Sequence, residues 1–167
     1  AGQGALGYSD IQGIMYRENS RLIQTPIRPL IKNLDTIPFP DRESMFYMES
    51  NKKIKTIHAV ADILASRGCP YSCKFCGTYT IWGTREVRFR SIDNIIEELI
   101  FLNKTFGQEF FIFWDDLFTI NRQRVLELCE KIRMNNLRIR WVCLGRLNTV
   151  DRALLEKIYE LDADEIE

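Results

Sequence analysis

From about residue 60 to its end, the chain alternates short apolar runs with segments of helical period, and this alternation leaves few folds open. Val60-Ala61-Asp62-Ile63-Leu64-Ala65-Ser66 has the length and apolar character of a buried strand. Ser91 can cap a helix whose Ile92, Ile95, Ile96, Leu99, Ile100 and Leu102 form one wide apolar face, with Gly107 as its stop. Asp93, Asn94, Glu97, Glu98 and Asn103 fall largely off that face. Glu109 to Trp114, aromatic and branched but too short for a helix, reads as a second buried strand. Asn121 can cap the next helix, with Val125, Leu126, Leu128, Cys129 and Ile132 inward. Arg138 to Leu144 is a third strand, and Val150 to about Leu161 a helix with Leu154, Leu155, Ile158 and Tyr159 apolar. A fourth strand opens at Asp164. Strand and helix in strict alternation mean βα units and a parallel sheet, either open or part of a barrel.

Ahead of this region the pattern is irregular. Gly13 to Asn19 reads as a short strand entering a turn at Glu18-Asn19-Ser20, with Leu22-Ile23 returning as its partner. Four of the five prolines, Pro26, Pro29, Pro38 and Pro40, then exclude a long helix. Residues 31–41 read as an extended surface connector. Met45, Phe46, Tyr47 and Met48 fit a short helix or strand equally, and Lys52, Lys53 and Lys55 a solvated turn. The chain begins at Ala1 rather than Met and stops as a strand is opening, so it reads as a piece of a longer protein.

The first strand runs directly into Arg67-Gly68-Cys69-Pro70-Tyr71-Ser72-Cys73-Lys74-Phe75-Cys76-Gly77, which holds three of the five cysteines in a C-x3-C-x2-C spacing. Gly68, Pro70 and Gly77 supply the tight backbone that lets three thiolates converge. Three is one short of a closed zinc site and one short of an ordinary four-cysteine iron–sulfur cluster. The arithmetic therefore suggests a 4Fe-4S cluster with one iron open to a substrate. Zinc remains an alternative if His58, Cys129 or Cys143 completes the set, as in a zinc-stabilised binding module. An electron carrier would need Cys129 or Cys143 as a fourth ligand. An odd cysteine count without a secretion signal does not read as a disulfide framework. The extra Cys69 argues against a thioredoxin-like C-x2-C pair. Cys129 on a helix's apolar face and Cys143 in a strand read as small core residues. His58 reads as a loop residue.

Thr78 to Phe89 reads as irregular chain with a turn at Trp82-Gly83. Active groups of parallel α/β folds gather beyond the C-terminal ends of the strands. The first three strand ends carry the cysteine loop, Asp115-Asp116 and Gly145-Arg146, the most reactive residue sets in the chain.

The cysteine loop, with Phe75 in the aromatic slot before Cys76, resembles the cluster loop of the radical S-adenosylmethionine (radical SAM) superfamily. Ser66-Arg67-Gly68-Cys69-Pro70, Arg88-Phe89-Arg90-Ser91 and Asp115-Asp116-Leu117-Phe118 resemble the branch found behind a cobalamin-binding domain, and the likeness runs from about Gly13 to the last residue. The resemblance implies an α/β fold: an incomplete parallel (β/α) barrel, about half of a (β/α)6 barrel, unstable alone because two strand edges lack partners. It implies residues 1–56 as a linker segment from a cobalamin-binding domain and residues 57–167 as the N-terminal part of the radical SAM core. It also implies roles. Cys69, Cys73 and Cys76 would each bind one iron of a 4Fe-4S cluster, and SAM would chelate the fourth. Reduction would cleave SAM to methionine and a 5′-deoxyadenosyl radical. Phe75 would pack near the adenine, or else close the core beneath the loop. Asp115 or Asp116 would accept from the SAM amino group, in place of the commoner Gly-Gly-Glu, or cap the following turn. Arg146 would meet the SAM carboxylate or form a surface ion pair. Arg88 and Arg90 match the pattern and are expected to support the loop. Methyl transfer to an unactivated carbon or phosphorus, ring contraction and cyclisation are the reactions implied, on an unknown small molecule. Cobalamin would act through a domain upstream.

Twenty-three basic and 23 acidic residues cancel, so no global charge points to nucleic acid or an anionic membrane. No apolar run approaches the ~20 residues of a membrane span. Reduced cysteines and an oxygen-sensitive cluster fit the cytoplasm, with an electron donor such as a flavodoxin or ferredoxin.

Overall fold

The structure, a computed structural model, describes residues 7–44, 61–160 and 163–166. Met45 to Met48, the three lysines after them and His58 lie outside the described residues. The chain divides into two compact units at Lys32/Asn33.

In the first unit, strands β1 (Met15–Glu18) and β2 (Arg21–Gln24) form an antiparallel hairpin in which Glu18 faces Arg21. Asn19 and Ser20 make its two-residue turn with φ of 45° and 65°. Left-handed values at both central positions give the turn the twist that paired strands need. The expected strand, turn and return are all present. Thr25 closes the open end: its hydroxyl accepts from Ile14 N at 3.0 Å.

In the second unit, β3 (Ala61–Ile63) is followed by β4 (Ser66–Arg67), helix α1 (Thr78–Trp82), β5 (Arg88–Phe89), α2 (Ile92–Phe106), β6 (Phe110–Phe113), α3 (Arg122–Met134), β7 (Arg140–Cys143), α4 (Arg152–Tyr159) and β8 (Ala163–Ile166). The sheet runs β3-β6-β7-β8, every pairing parallel. Among the described residues it does not close, and β3 and β8 are its edges. This is the α/β, part-barrel arrangement expected.

The helix signals act where they were placed. Ser91 accepts from Asn94 N, Asn121 from Arg124 N and Asp151 from Leu154 N, each satisfying an amide that the first turn leaves open. Gly107, at φ 67°, ends α2. Ile95, Leu99 and Leu102 of α2, Val125, Leu128 and Ile132 of α3, and Leu154 and Ile158 of α4 pack onto Phe111, Phe113, Trp141 and Cys143 of the sheet. Each such side chain contributes roughly 1.5–3 kcal/mol by leaving water. The rings of Phe113 and Trp141 meet edge to face at 5.5 Å.

Five expectations need correction. The first strand is not continuous to Ser66. Its ladder ends because Ala65 N, the next donor, turns to the Asp115 carboxylate at 3.0 Å, and Ser66–Arg67 pair antiparallel with Arg88–Phe89 instead. Thr78 to Trp82 is a short helix rather than irregular chain, ended by Gly83 in the left-handed region. Only half the expected apolar set of α4 faces inward: Leu155 and Tyr159 are 38% and 79% exposed, one residue off the Leu154–Ile158 stripe. Glu98 is 1% exposed, on the buried side of α2. Two guanidiniums hold it there, Arg42 at 3.2 Å and Arg90 at 2.6 Å. The connector also does more than run over the surface. Leu34 is buried, Asp35 accepts from Ser91 N at 2.8 Å, and Phe39 lies under the Arg90 guanidinium at 5.4 Å.

Candidate functional site at the cysteine loop

The β4–β5 pair closes the base of the excursion from Gly68 to Val87, which contains Cys69, Cys73 and Cys76. Gly68 carries φ of 102°, and a Cβ there would stand 2.4 Å from the Glu86 carbonyl oxygen. Only glycine lets the two arms of the loop approach so closely. Inside the loop, Cys76 N donates to Cys73 O at 3.1 Å, and Arg85 Nη1 donates to Tyr71 O at 2.7 Å.

Asp116, just beyond β6, ties the loop to the sheet. Its carboxylate accepts from Gly68 N at 3.1 Å, Thr78 Oγ1 at 3.0 Å and Trp82 Nε1 at 2.7 Å. These donors flank the cysteines on both sides in sequence, so one side chain spans the loop. Asp115 points the other way, is 1% exposed, and serves Ala65 N and Ser66 Oγ. Burial pushes its carboxyl up to about 6, against the pull of Ser66, the Ala65 and Ser66 amides and Arg124. Sequence reasoning expected one of these aspartates to receive the SAM amino group. In the structure both carboxylates receive protein donors, Asp115 from within the core and Asp116 from the loop.

Arg146, beyond β7, reaches the same loop. Its Nη1 donates to Cys73 Sγ at 3.3 Å, and its guanidinium carbon lies 3.9 Å from the centre of the Tyr71 ring. Asn148 Nδ2 donates to Tyr71 Oη at 3.2 Å. A surface ion pair was one expectation for Arg146; the partners observed are an aromatic face and a thiol. Arg88 and Arg90 do support the loop's base. Arg88 pairs with Arg67 across β4 and β5 and lies 5.8 Å from the Trp82 ring. Arg90 Nη1 donates to Leu64 O at 3.1 Å.

Phe75 is 94% exposed, so it does not close the core beneath the loop. The Thr78 hydroxyl and backbone lower the Cys76 thiol below its ordinary range. Cys129 and Cys143 are buried, with thiols pushed up to about 11 and about 12 by that burial. They are inert core residues.

These residues fit a cluster. The donors are three free thiols on one closed loop, partly or fully open to solvent, with one thiol already acidified. Among the described residues no three His, Cys, Asp or Glu side chains converge as ligands of a single ion. A cluster makes a different demand, since each cysteine attaches to its own iron. Sequence reasoning missed Tyr71, Thr78, Trp82 and Asn148. Apart from the contact of Thr78 with Cys76 two residues before it, their partners are distant in the chain.

The Radical SAM superfamily profile matches residues 63–167. The chain belongs to that superfamily. Among curated relatives, it is 34% identical over 150 residues to an uncharacterized methyltransferase of Pyrococcus horikoshii, covering 90% of this chain and 32% of that protein. It is 31% identical over 148 residues to an anaerobic magnesium-protoporphyrin IX monomethyl ester cyclase of Rubrivivax gelatinosus, covering 85% of this chain and 25% of that one. The chain thus spans about a third or less of these relatives' length. Its fold matches the cobalamin-dependent S-adenosylmethionine radical enzyme OxsB with aqua-cobalamin bound, at a TM-score of 0.70 and 19% identity, over 96% of this chain and 24% of that one.

Proposed function

We propose that this chain is the part of a radical SAM enzyme that holds a 4Fe-4S cluster through Cys69, Cys73 and Cys76, and that SAM binds at the iron left open. The observation that carries this reading is the placement of the loop. It springs from the end of β3 and is fastened to the residues beyond β6 by Asp116 and to those beyond β7 by Arg146. That end of a parallel sheet is where α/β proteins assemble their sites.

Bound cluster and SAM supply reductive cleavage of the sulfonium to methionine and a 5′-deoxyadenosyl radical, chemistry that belongs to the cofactors. The chain's own residues bind, orient and shield. Gly68 and Asp116 fix the loop that presents the sulfurs. Phe75, exposed beside Cys76, offers an aromatic face for the adenine. Arg146 keeps guanidinium donors beyond the one given to Cys73, and these suit the SAM carboxylate. Asp116 acts through the loop it holds, and Asp115 through Ala65 and Ser66 just ahead of that loop.

For the whole enzyme we propose a cobalamin-dependent methyltransferase acting on a small molecule, reduced by a flavodoxin or ferredoxin in the cytoplasm. The name of the Pyrococcus relative and the fold of the cobalamin-dependent enzyme support this reading. Cyclisation is the second reading, favoured by the likeness to the Rubrivivax cyclase.

Anaerobic reconstitution with iron and sulfide tests the proposal. A brown protein is expected, whose reduced form changes its electron paramagnetic resonance spectrum on adding SAM, and which loses its colour when the three cysteines are replaced by alanine. A colourless protein holding one zinc per chain would overturn it and establish the binding module.

A further inference from the structure

We propose that Arg146 is a positioning residue that sets the reduction potential of the cluster through Cys73. The inference rests on the cluster assignment above and goes beyond it. Arg146 Nη1 donates to Cys73 Sγ at 3.3 Å. The direction of this bond is fixed, because a guanidinium has donors only. The contact is also held in place from several sides. The guanidinium lies on the Tyr71 ring at 3.9 Å. Tyr71 is held at its hydroxyl by Asn148 at 3.2 Å and at its carbonyl by Arg85 at 2.7 Å. The Arg146 backbone is held by Thr149, whose hydroxyl accepts from Arg146 N at 3.2 Å and donates to Arg146 O at 2.8 Å. A permanent positive charge is therefore fixed on one cysteine sulfur, and the aromatic face and neighbouring side chains limit its escape to water.

Hydrogen bonds and charge at cysteine sulfurs are among the levers that set cluster potentials. One-electron reduction, by whatever external reductant is used, adds one negative charge to the cluster. A donor and a cation on Cys73 stabilise that charge, so they raise the potential and ease reduction. Among the described residues, Cys69 and Cys76 have no such cation as a side-chain partner; Cys76 meets the Thr78 hydroxyl instead. The effect is thus directed at one corner of the site.

The test is a redox titration of the reconstituted full chain by absorbance, with iron and sulfide counted in each sample. Arg146→Met keeps the aliphatic packing on Tyr71 but removes charge and donor. Arg146→Gln removes the charge and keeps an N–H donor. The expected order of potentials is wild type, then Gln, then Met. The Met variant should show about a tenfold weaker reduction equilibrium, or about 59 mV for a one-electron couple. Equal potentials in wild type and Met, at equal cluster content, overturn the proposal. If Met cannot hold a cluster, Gln decides: a potential below wild type supports the proposal and an unchanged one overturns it. If the wild type itself assembles no cluster, the underlying assignment fails, and this inference fails with it.

Discussion

Gly68 and Glu86 meet so closely that a single methyl group on Gly68 would stand 2.4 Å from the Glu86 carbonyl oxygen. The obstacle is backbone, which cannot swing away as a side-chain tip can, and φ of 102° is unfavourable to any residue with a Cβ. Together they make this point the hinge at the base of the cysteine loop.

Gly68→Ala is therefore expected to force the loop's arms apart at a cost of about 1–3 kcal/mol. Iron content after reconstitution should fall well below wild type. The sheet is elsewhere, so far-ultraviolet circular dichroism should hardly change.

Asp116→Ala removes the acceptor shared by Gly68, Thr78 and Trp82. Asp116→Asn is expected to be much milder. One amide oxygen can still serve Gly68 and Trp82, while the Thr78 hydroxyl can turn to accept from the amide nitrogen. Hydrogen exchange should show loop 68–87 opening more readily in the Ala variant, with amides of Phe111 and Leu99 unaffected. Equal loop protection in Ala and wild type would contradict this role.

Asp115 should make stability fall with rising pH. Its folded value, about 6, lies above the ordinary 3.8, raised chiefly by burial. Between those values the folded protein keeps a proton that the unfolded chain has lost. Its stabilising share is thus fully present below about pH 4 and is lost as pH rises through about 6. The gap corresponds to roughly 3 kcal/mol. Urea unfolding of wild type and Asp115→Asn from about pH 4 to about pH 7 isolates this group. Wild-type stability should decline relative to the variant over that window, and parallel curves would contradict the assignment.

Glu98 holds Arg42 and Arg90 at side-chain exposures of 10% and 12%. Glu98→Ala leaves both guanidiniums without their carboxylate in a largely dry place. The expected loss is about 3–5 kcal/mol, read as a lower denaturant midpoint. Glu97→Ala, one position along the helix and exposed, should change little.

The elements were legible because their signals are local. Ser91, Asn121 and Gly107 act within one turn of themselves, and the apolar periods of α2 and α3 name their own buried faces. The cysteine set was legible for the same reason, since its spacing lies within one loop. Glu98 was misread because its partners are 8 and 56 residues away, and a helical wheel sees only its immediate neighbours. Asp115 and Asp116 look equivalent in sequence, yet one faces the core and the other faces the loop.

The sequence by itself determined the βα order, the caps and the three candidate ligands, because each depends on residues close along the chain. Tertiary structure alone decided that Asp116 spans the loop, that Arg146 reaches Cys73 and that Phe75 stands exposed. Those contacts join separate strand ends, and their geometry exists only once parallel pairing brings β3, β6 and β7 side by side.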